Sequence, residues 1–259
     1  MTERKSRFTG LELEPGTGRR SDGNSGAVVR DADYYIREGW SHELGGRHEK
    51  ALNQYSAALG EDPLCIEAWT RQLWMLLYME ELAEAIVWAD KALQSFPNDP
   101  DILALKSLAQ WRKGLTEAAR QLNDSALAAT RNSANVWLAR GEMQMVADMR
   151  SASACFRHAL AQPGPDGMIS LRIADLLRRQ RKYADALEHS RNATRALPES
   201  AWAWYGFGET QRRLGNEESA LSAFERAGTL APRDGRYRMA KLKKPGLWRR
   251  FQKWLAGRT

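Results

Sequence analysis

The chain has 259 residues, about 43% of them hydrophobic, with 39 lysines and arginines against 32 acids. That is enough apolar material for a core, yet no stretch approaches the ~18 uninterrupted apolar residues of a membrane span and the first 30 residues hold no apolar run of signal-peptide length. Cys65 and Cys155 stand far apart and outside any CxxC pair, which excludes a disulfide framework and predicts a cytoplasmic protein without a lipoprotein anchor. The net charge of +7 is local: residues 233–259 hold ten cations and a single anion, Asp234, so positions 1–232 carry a net −2.

Residues 1–31 contain "EPGTGRRSDGNSG" and little that could bury a face, and they read as a disordered arm. From Ala32 the sequence repeats. An alanine, a residue four later that is often aromatic, and an alanine three after that recur as Ala51-Tyr55-Ala58, Ala85-Ala89-Ala92, Ala119-Asn123-Ala126, Ala152-Phe156-Ala159, Ala186-Ser190-Ala193 and Ala220-Phe224-Ala227. The steps are 34, 34, 33, 34 and 34 residues. Pro63, Pro97, Pro198 and Pro232 follow five residues after the second alanine, while Arg131 and Gly164 take that place in the middle copies. Upstream of each triplet, Tyr35, Trp69, Leu103, Trp137, Ser170 and Trp204 stand in register.

This pattern predicts six helix-turn-helix units over 32–65, 66–99, 100–133, 134–166, 167–200 and 201–234. Small residues seven apart let two helices approach, and the larger residue between them fills the gap. Gly46, Gly114 and Gly215 fall where the two helices turn and a left-handed conformation is cheap. Residues 235–244 then begin a seventh first helix, stopped by Pro245 and Gly246, and are expected to cap the array.

The last unit resembles the tetratricopeptide repeat family pattern W-x2-L-G-x2-Y…A-x3-F…P through Trp204, Phe207, Gly208, Ala220, Phe224 and Pro232, with Gln211 in place of the tyrosine. The resemblance extends over residues 32–234. It implies an all-α, right-handed α-solenoid whose first helices line a concave groove for an extended peptide or a helix. Carried over by register, the groove residues are Arg37, Trp40, Arg71, Trp74, Tyr78, Trp111, Arg112, Arg172, Arg178, Arg179, Tyr205, Arg212 and Arg213, with Glu142, Asp175 and Glu209 among their neighbours. Such a lining is aromatic toward the N-terminus and arginine-rich toward the C-terminus, which suits a protein segment with apolar and acidic residues. Packing between adjacent repeats is the competing role for each tryptophan, and a solvated face for the arginines. Members that hold the C-terminal carboxylate of heat-shock chaperones use lysines and asparagines where this chain has Ile36, Trp40, Thr70 and Trp74, so that mode is not expected.

The four histidines, His42, His48, His158 and His189, form no i, i+4 pair with each other or with a cysteine, and no nucleophile elbow, P-loop or dinucleotide fingerprint occurs. No enzyme, metal or cofactor is expected. Beyond the cap, "GLWRRFQKWLAG" puts Leu247, Trp248, Phe251, Trp254 and Leu255 within roughly 120° of a helical wheel, opposite Arg249, Arg250 and Lys253. This basic amphipathic helix has three readings: packing back on the array, insertion at an anionic membrane surface, or docking in a partner's groove. Nucleic acid is a further reading of the cations, although phosphate contact alone does not need the apolar stripe.

Overall fold

The computed structural model describes residues 30–129, 133–164 and 166–242. The expected amphipathic tail, residues 245–259, and most of the expected N-terminal arm lie outside the described residues. Among the described residues are thirteen α-helices and no strand: α1 (Ala32–Leu44), α2 (His48–Glu61), α3 (Ile66–Tyr78), α4 (Leu82–Ser95), α5 (Pro100–Arg112), α6 (Thr116–Leu127), α7 (Ala134–Gln144), α8 (Met149–Leu160), α9 (Asp166–Arg179), α10 (Tyr183–Ala196), α11 (Ala201–Arg213), α12 (Glu217–Leu230) and α13 (Gly235–Leu242). The chain divides into two compact units, Met1–Gly164 with α1 to α8 and Pro165–Thr259 with α9 to α13. Within each, an odd-numbered helix packs on the even-numbered helix after it, and that helix packs on the next odd one. The architecture is an α-solenoid of tetratricopeptide-type hairpins with α13 as a terminal cap.

The twelve alanines that flank the triplets' middle residues are all buried, at 0 or 1% exposure. What lies between each pair depends on the helix opposite. A Cβ added at Gly39, Gly141 or Gly208 would stand 2.5, 2.3 or 2.6 Å from the ring of Tyr55, Phe156 or Phe224, so each aromatic is seated where its partner helix has no side chain. In the other three repeats the same two register places hold Leu73 with Ala89, Ser107 with Asn123, and Ala174 with Ser190. A side chain on the first helix accompanies a smaller residue on the second. The polar replacements bond to nearby backbone: Asn123 Nδ2 donates to the Val136 carbonyl at 3.2 Å and Ser190 Oγ to the Ala186 carbonyl at 2.7 Å.

The turns share one backbone device. The N–H groups of Arg47, Glu81, Leu115, Lys182 and Asn216 donate to the carbonyl five residues back, at 2.9–3.0 Å. The residue before each is left-handed: Gly46, Glu80, Gly114, Arg181 and Gly215, with φ of 67, 62, 88, 57 and 87°. Glycine supplies that conformation freely, whereas the side chains of Glu80 and Arg181 make it cost about 1–2 kcal/mol. The fourth repeat is the exception. Here α7 stops at Gln144 and Asp148 caps α8 instead, accepting from the Arg150 and Ser151 N–H groups at 3.0 Å and from Ser151 Oγ at 2.7 Å. Those bonds hold the Asp148 carboxyl below its ordinary value. The single missing residue of the 33-residue step is absorbed in this turn.

Tryptophan and proline are linked in the same way. The indole N–H of Trp69 donates to the Pro63 carbonyl and that of Trp204 to the Pro198 carbonyl, both at 2.9 Å, so each tryptophan fixes the loop that delivers its own helix. At the C-terminal end, Tyr237 of α13 packs with Ala201, Ala227 and Ala231, and Ala240 packs with Ala220 and Phe224.

Candidate functional site on the first helices

First helices also touch one another. In unit 1, α3 packs on α5 and α5 on α7; in unit 2, α9 packs on α11. No pair of second helices packs comparably among the described residues. The first helices therefore form the inner layer of each unit, and the residues they share define two candidate faces.

On the unit 1 face, Arg37 is exposed and Trp40 half-buried, with the Arg71 guanidinium 4.4 Å above the Trp40 ring. Arg71 also donates from Nη1 to Glu43 Oε2 at 3.2 Å and from Nε to Glu67 Oε1 at 2.7 Å. Glu43 is fully buried and accepts from the Tyr55 hydroxyl at 2.7 Å. Burial and the Glu43 carboxylate push the Tyr55 phenol far above its ordinary value; for Arg71, burial is the largest single effect and lowers it, but Glu43, Tyr55 and Glu67 together outweigh burial and raise it. Trp74, expected to line the groove, is interior at 1% exposure and donates to Asn135 Oδ1 at 2.9 Å, and Asn135 Nδ2 in turn donates to Asp101 Oδ1 at 2.7 Å. Tyr78 is half-buried, with ring centroids 5.5 Å from Trp74 and 4.9 Å from His48. Arg112 grips Glu142 with Nε to Oε1 at 3.0 Å and Nη2 to Oε2 at 2.8 Å, and gives Nη1 to the Leu77 carbonyl at 3.1 Å. Its side chain is 6% exposed and that of Glu142 3%, which makes the pair structural. Trp111 is half-buried beneath Arg120, at 5.6 Å.

On the unit 2 face, Arg172 is half-buried and Arg179 exposed on α9, and the exposed Arg213 of α11 lies 5.8 Å from the Tyr183 ring centroid. Arg178 pairs with Asp175 and Arg212 with Glu209, each acid three residues earlier on the same helix. Tyr205 is half-buried, 5.3 Å from Tyr237 and 5.8 Å from Phe224 between ring centroids. Its phenol is raised by burial and Glu209, with Arg212, Arg178 and Arg236 pulling the other way.

Glu43, Asn135, Asp101 and Gly206 did not enter the sequence-derived set. Glu43 had a signal, being an acid at the register place that holds Leu77, Trp111, Met145, Arg178 and Arg212 in later repeats. Gly206 sits two residues before the register glycine, and a Cβ there would lie 2.6 Å from Arg178 Nη1.

Helical hairpins in a 34-residue period, stacked through their first helices, define a helical repeat protein. Two tetratricopeptide repeat family models match, one over residues 36–100 and 76–134 and the other over 177–243. The chain belongs to the tetratricopeptide repeat family, whose members serve as protein-interaction scaffolds. No curated protein matches it. Among solved structures it is similar to the human IFIT1 dimer with PPP-AAAA, at 16% identity and TM-score 0.52 over 76% of this chain and 49% of that one. It is similar also to Cut9–Hcn1 of the APC/C, at 14% and 0.50 over 82% and 42%. A third is YrrB, a TPR protein with an unusual peptide-binding site, at 20% and 0.42 over 72% and 97%.

Proposed function

We propose that the protein is a non-catalytic scaffold or adaptor whose first-helix faces hold a peptide or helix of a partner protein carrying apolar and acidic residues. The supporting observation is that the first helices pack on one another within each unit while keeping half-exposed aromatics and arginines along the shared layer. Residues of these types dominate interface energetics because they combine contact area with directional bonding. The test is cross-linked capture from the native host with the full chain and with a variant carrying Arg178→Glu, Arg179→Glu, Arg212→Glu and Arg213→Glu, its folding checked by circular dichroism. A partner lost by the variant is the expected result; unchanged capture by this and by changes at Trp40, Tyr78 and Trp111 would overturn the reading.

The amphipathic pattern of Trp248, Phe251 and Trp254 with Arg249, Arg250 and Lys253 supports a second role, attachment to an anionic membrane surface. No described helix is long and apolar enough to cross a membrane. Sedimentation with anionic liposomes at low salt should be lost in a chain ending at Lys244. Retention on an oligonucleotide, falling steeply with salt, is the outcome that would assign the tail to nucleic acid instead.

A further inference from the structure

Resting on the scaffold reading, we propose that unit 2 recognises an internal Asp or Glu side chain of the bound segment next to an apolar residue. Arg178 and Arg212 receive it by exchanging their own-helix carboxylates, Asp175 and Glu209, for the partner's.

The charge distribution is the first support. In unit 2 the described side chains of the first helices α9, α11 and α13 include six cations against two anions, and the second helices α10 and α12 carry three against five. In unit 1 the first helices carry five against six. Basic surplus is thus confined to one layer of one unit, where it complements an acidic occupant.

Geometry is the second. Tyr205, Glu209 and Arg212 stand at i, i+4 and i+7, along one stripe of α11. The Arg178 guanidinium rests against that helix at Gly206, where any Cβ would collide with it, and so lies beside Tyr205. Arg212 lies 5.3 Å over the Phe224 ring, which also neighbours Tyr205. Two guanidiniums thereby border α11 around Tyr205, one of them on an aromatic ring. This is the arrangement that grips a carboxylate through paired hydrogen bonds and its neighbouring side chain through contact area.

The third is the locality of the resident pairs. Arg178 and Arg212 each hold an acid only three residues away, with side chains 11–20% exposed. Each of these two pairs lies within a single helix. Each resident acid occupies its arginine as a stand-in of the same chemistry and size as the group proposed to replace it.

The experiment uses the full chain and a random 12-residue peptide library displayed on phage as N-terminal fusions, which have no free C-terminal carboxylate. Selection on the wild type should enrich Asp and Glu beside aliphatic or aromatic residues, and selection on R178Q/R212Q should not. For the strongest acidic peptide, affinity should fall at least tenfold in R178Q/R212Q and rise several-fold in D175N/E209Q. It should move less than twofold in E217Q/E218Q, which makes the same charge change on α12. A 12-nucleotide oligonucleotide that displaces the peptide at equal concentration would overturn the assignment, as would D175N/E209Q gaining no more than E217Q/E218Q. Selection of non-acidic peptides, or of none, overturns this inference alone, because capture of the host partner decides the scaffold reading separately.

Discussion

Replacing Gly208 by alanine tests the seating of the aromatics. In an open helix the change is favourable by about 1 kcal/mol, since glycine loses more backbone entropy than alanine. At Gly208 the added methyl would meet three atoms of the Phe224 ring at 2.6, 2.7 and 3.1 Å. That ring is 1% exposed and closed in by Tyr205 and Ala240, so it cannot simply swing aside. Overpacking of this kind costs about 1–3 kcal/mol. The balance runs from nearly neutral to a loss of about 2 kcal/mol. Gly228, on α12 with nothing within 4 Å of its notional Cβ, provides the control, and Gly228→Ala should gain the full ~1 kcal/mol.

The decisive arm is the double change. Phe224→Ala alone costs about 3–5 kcal/mol, but it removes the obstacle, and in that background Gly208→Ala should become stabilising by about 1 kcal/mol. Urea unfolding followed by circular dichroism reads all four proteins, and thermal midpoints should move about 2–4 °C per kcal/mol. If Gly208→Ala and Gly228→Ala shift the midpoint in the same direction, or if removing Phe224 leaves the Gly208 effect unchanged, the packing argument is wrong.

Arg112→Met leaves the Glu142 carboxylate buried without its fork and should destabilise the protein by about 3–5 kcal/mol in chemical denaturation, with Arg112→Met/Glu142→Met recovering most of the loss. His189 on α10 is held below its ordinary value near 6.5 by burial, despite opposing contributions from Glu188 and Asp185. The unfolded chain therefore takes up that proton first, and the stability it lends is complete above pH 6.5 and lost as pH falls through the folded value. Urea midpoints measured at pH 7.5 and 5.5 should converge in His189→Gln relative to the wild type.

The repeat and its helices were legible because packing imposes a period: twelve alanines cannot all be buried between helices without recurring every 33 or 34 residues. Turns were legible where glycine supplied the left-handed residue. They were silent at Glu80 and Arg181, where the same backbone bond is made with a side chain that carries no turn signal. The candidate site was legible as residue types in register but not as roles. Trp74 and Arg112 occupy groove register yet face inward, because Asn135 and Glu142, 61 and 30 residues away, supply partners that no local pattern reveals.

Sequence separation is what divides the arginines into two kinds. Arg71 reaches Glu43 across 28 residues and Arg112 reaches Glu142 and the Leu77 carbonyl across 30 and 35, so each bond fastens one first helix of unit 1 to another. Removing such a bond loosens the layer that would form a binding face. Arg178 and Arg212 each pair with an acid three residues back on their own helices. Under the proposed exchange, it is these within-helix bonds that would open to a ligand's carboxylate. A face that recognises a partner needs a rigid support and side chains that can change partners. Unit 1 devotes its buried arginines to the first requirement, and we assign the second, as proposed above, to the arginines around Tyr205 in unit 2.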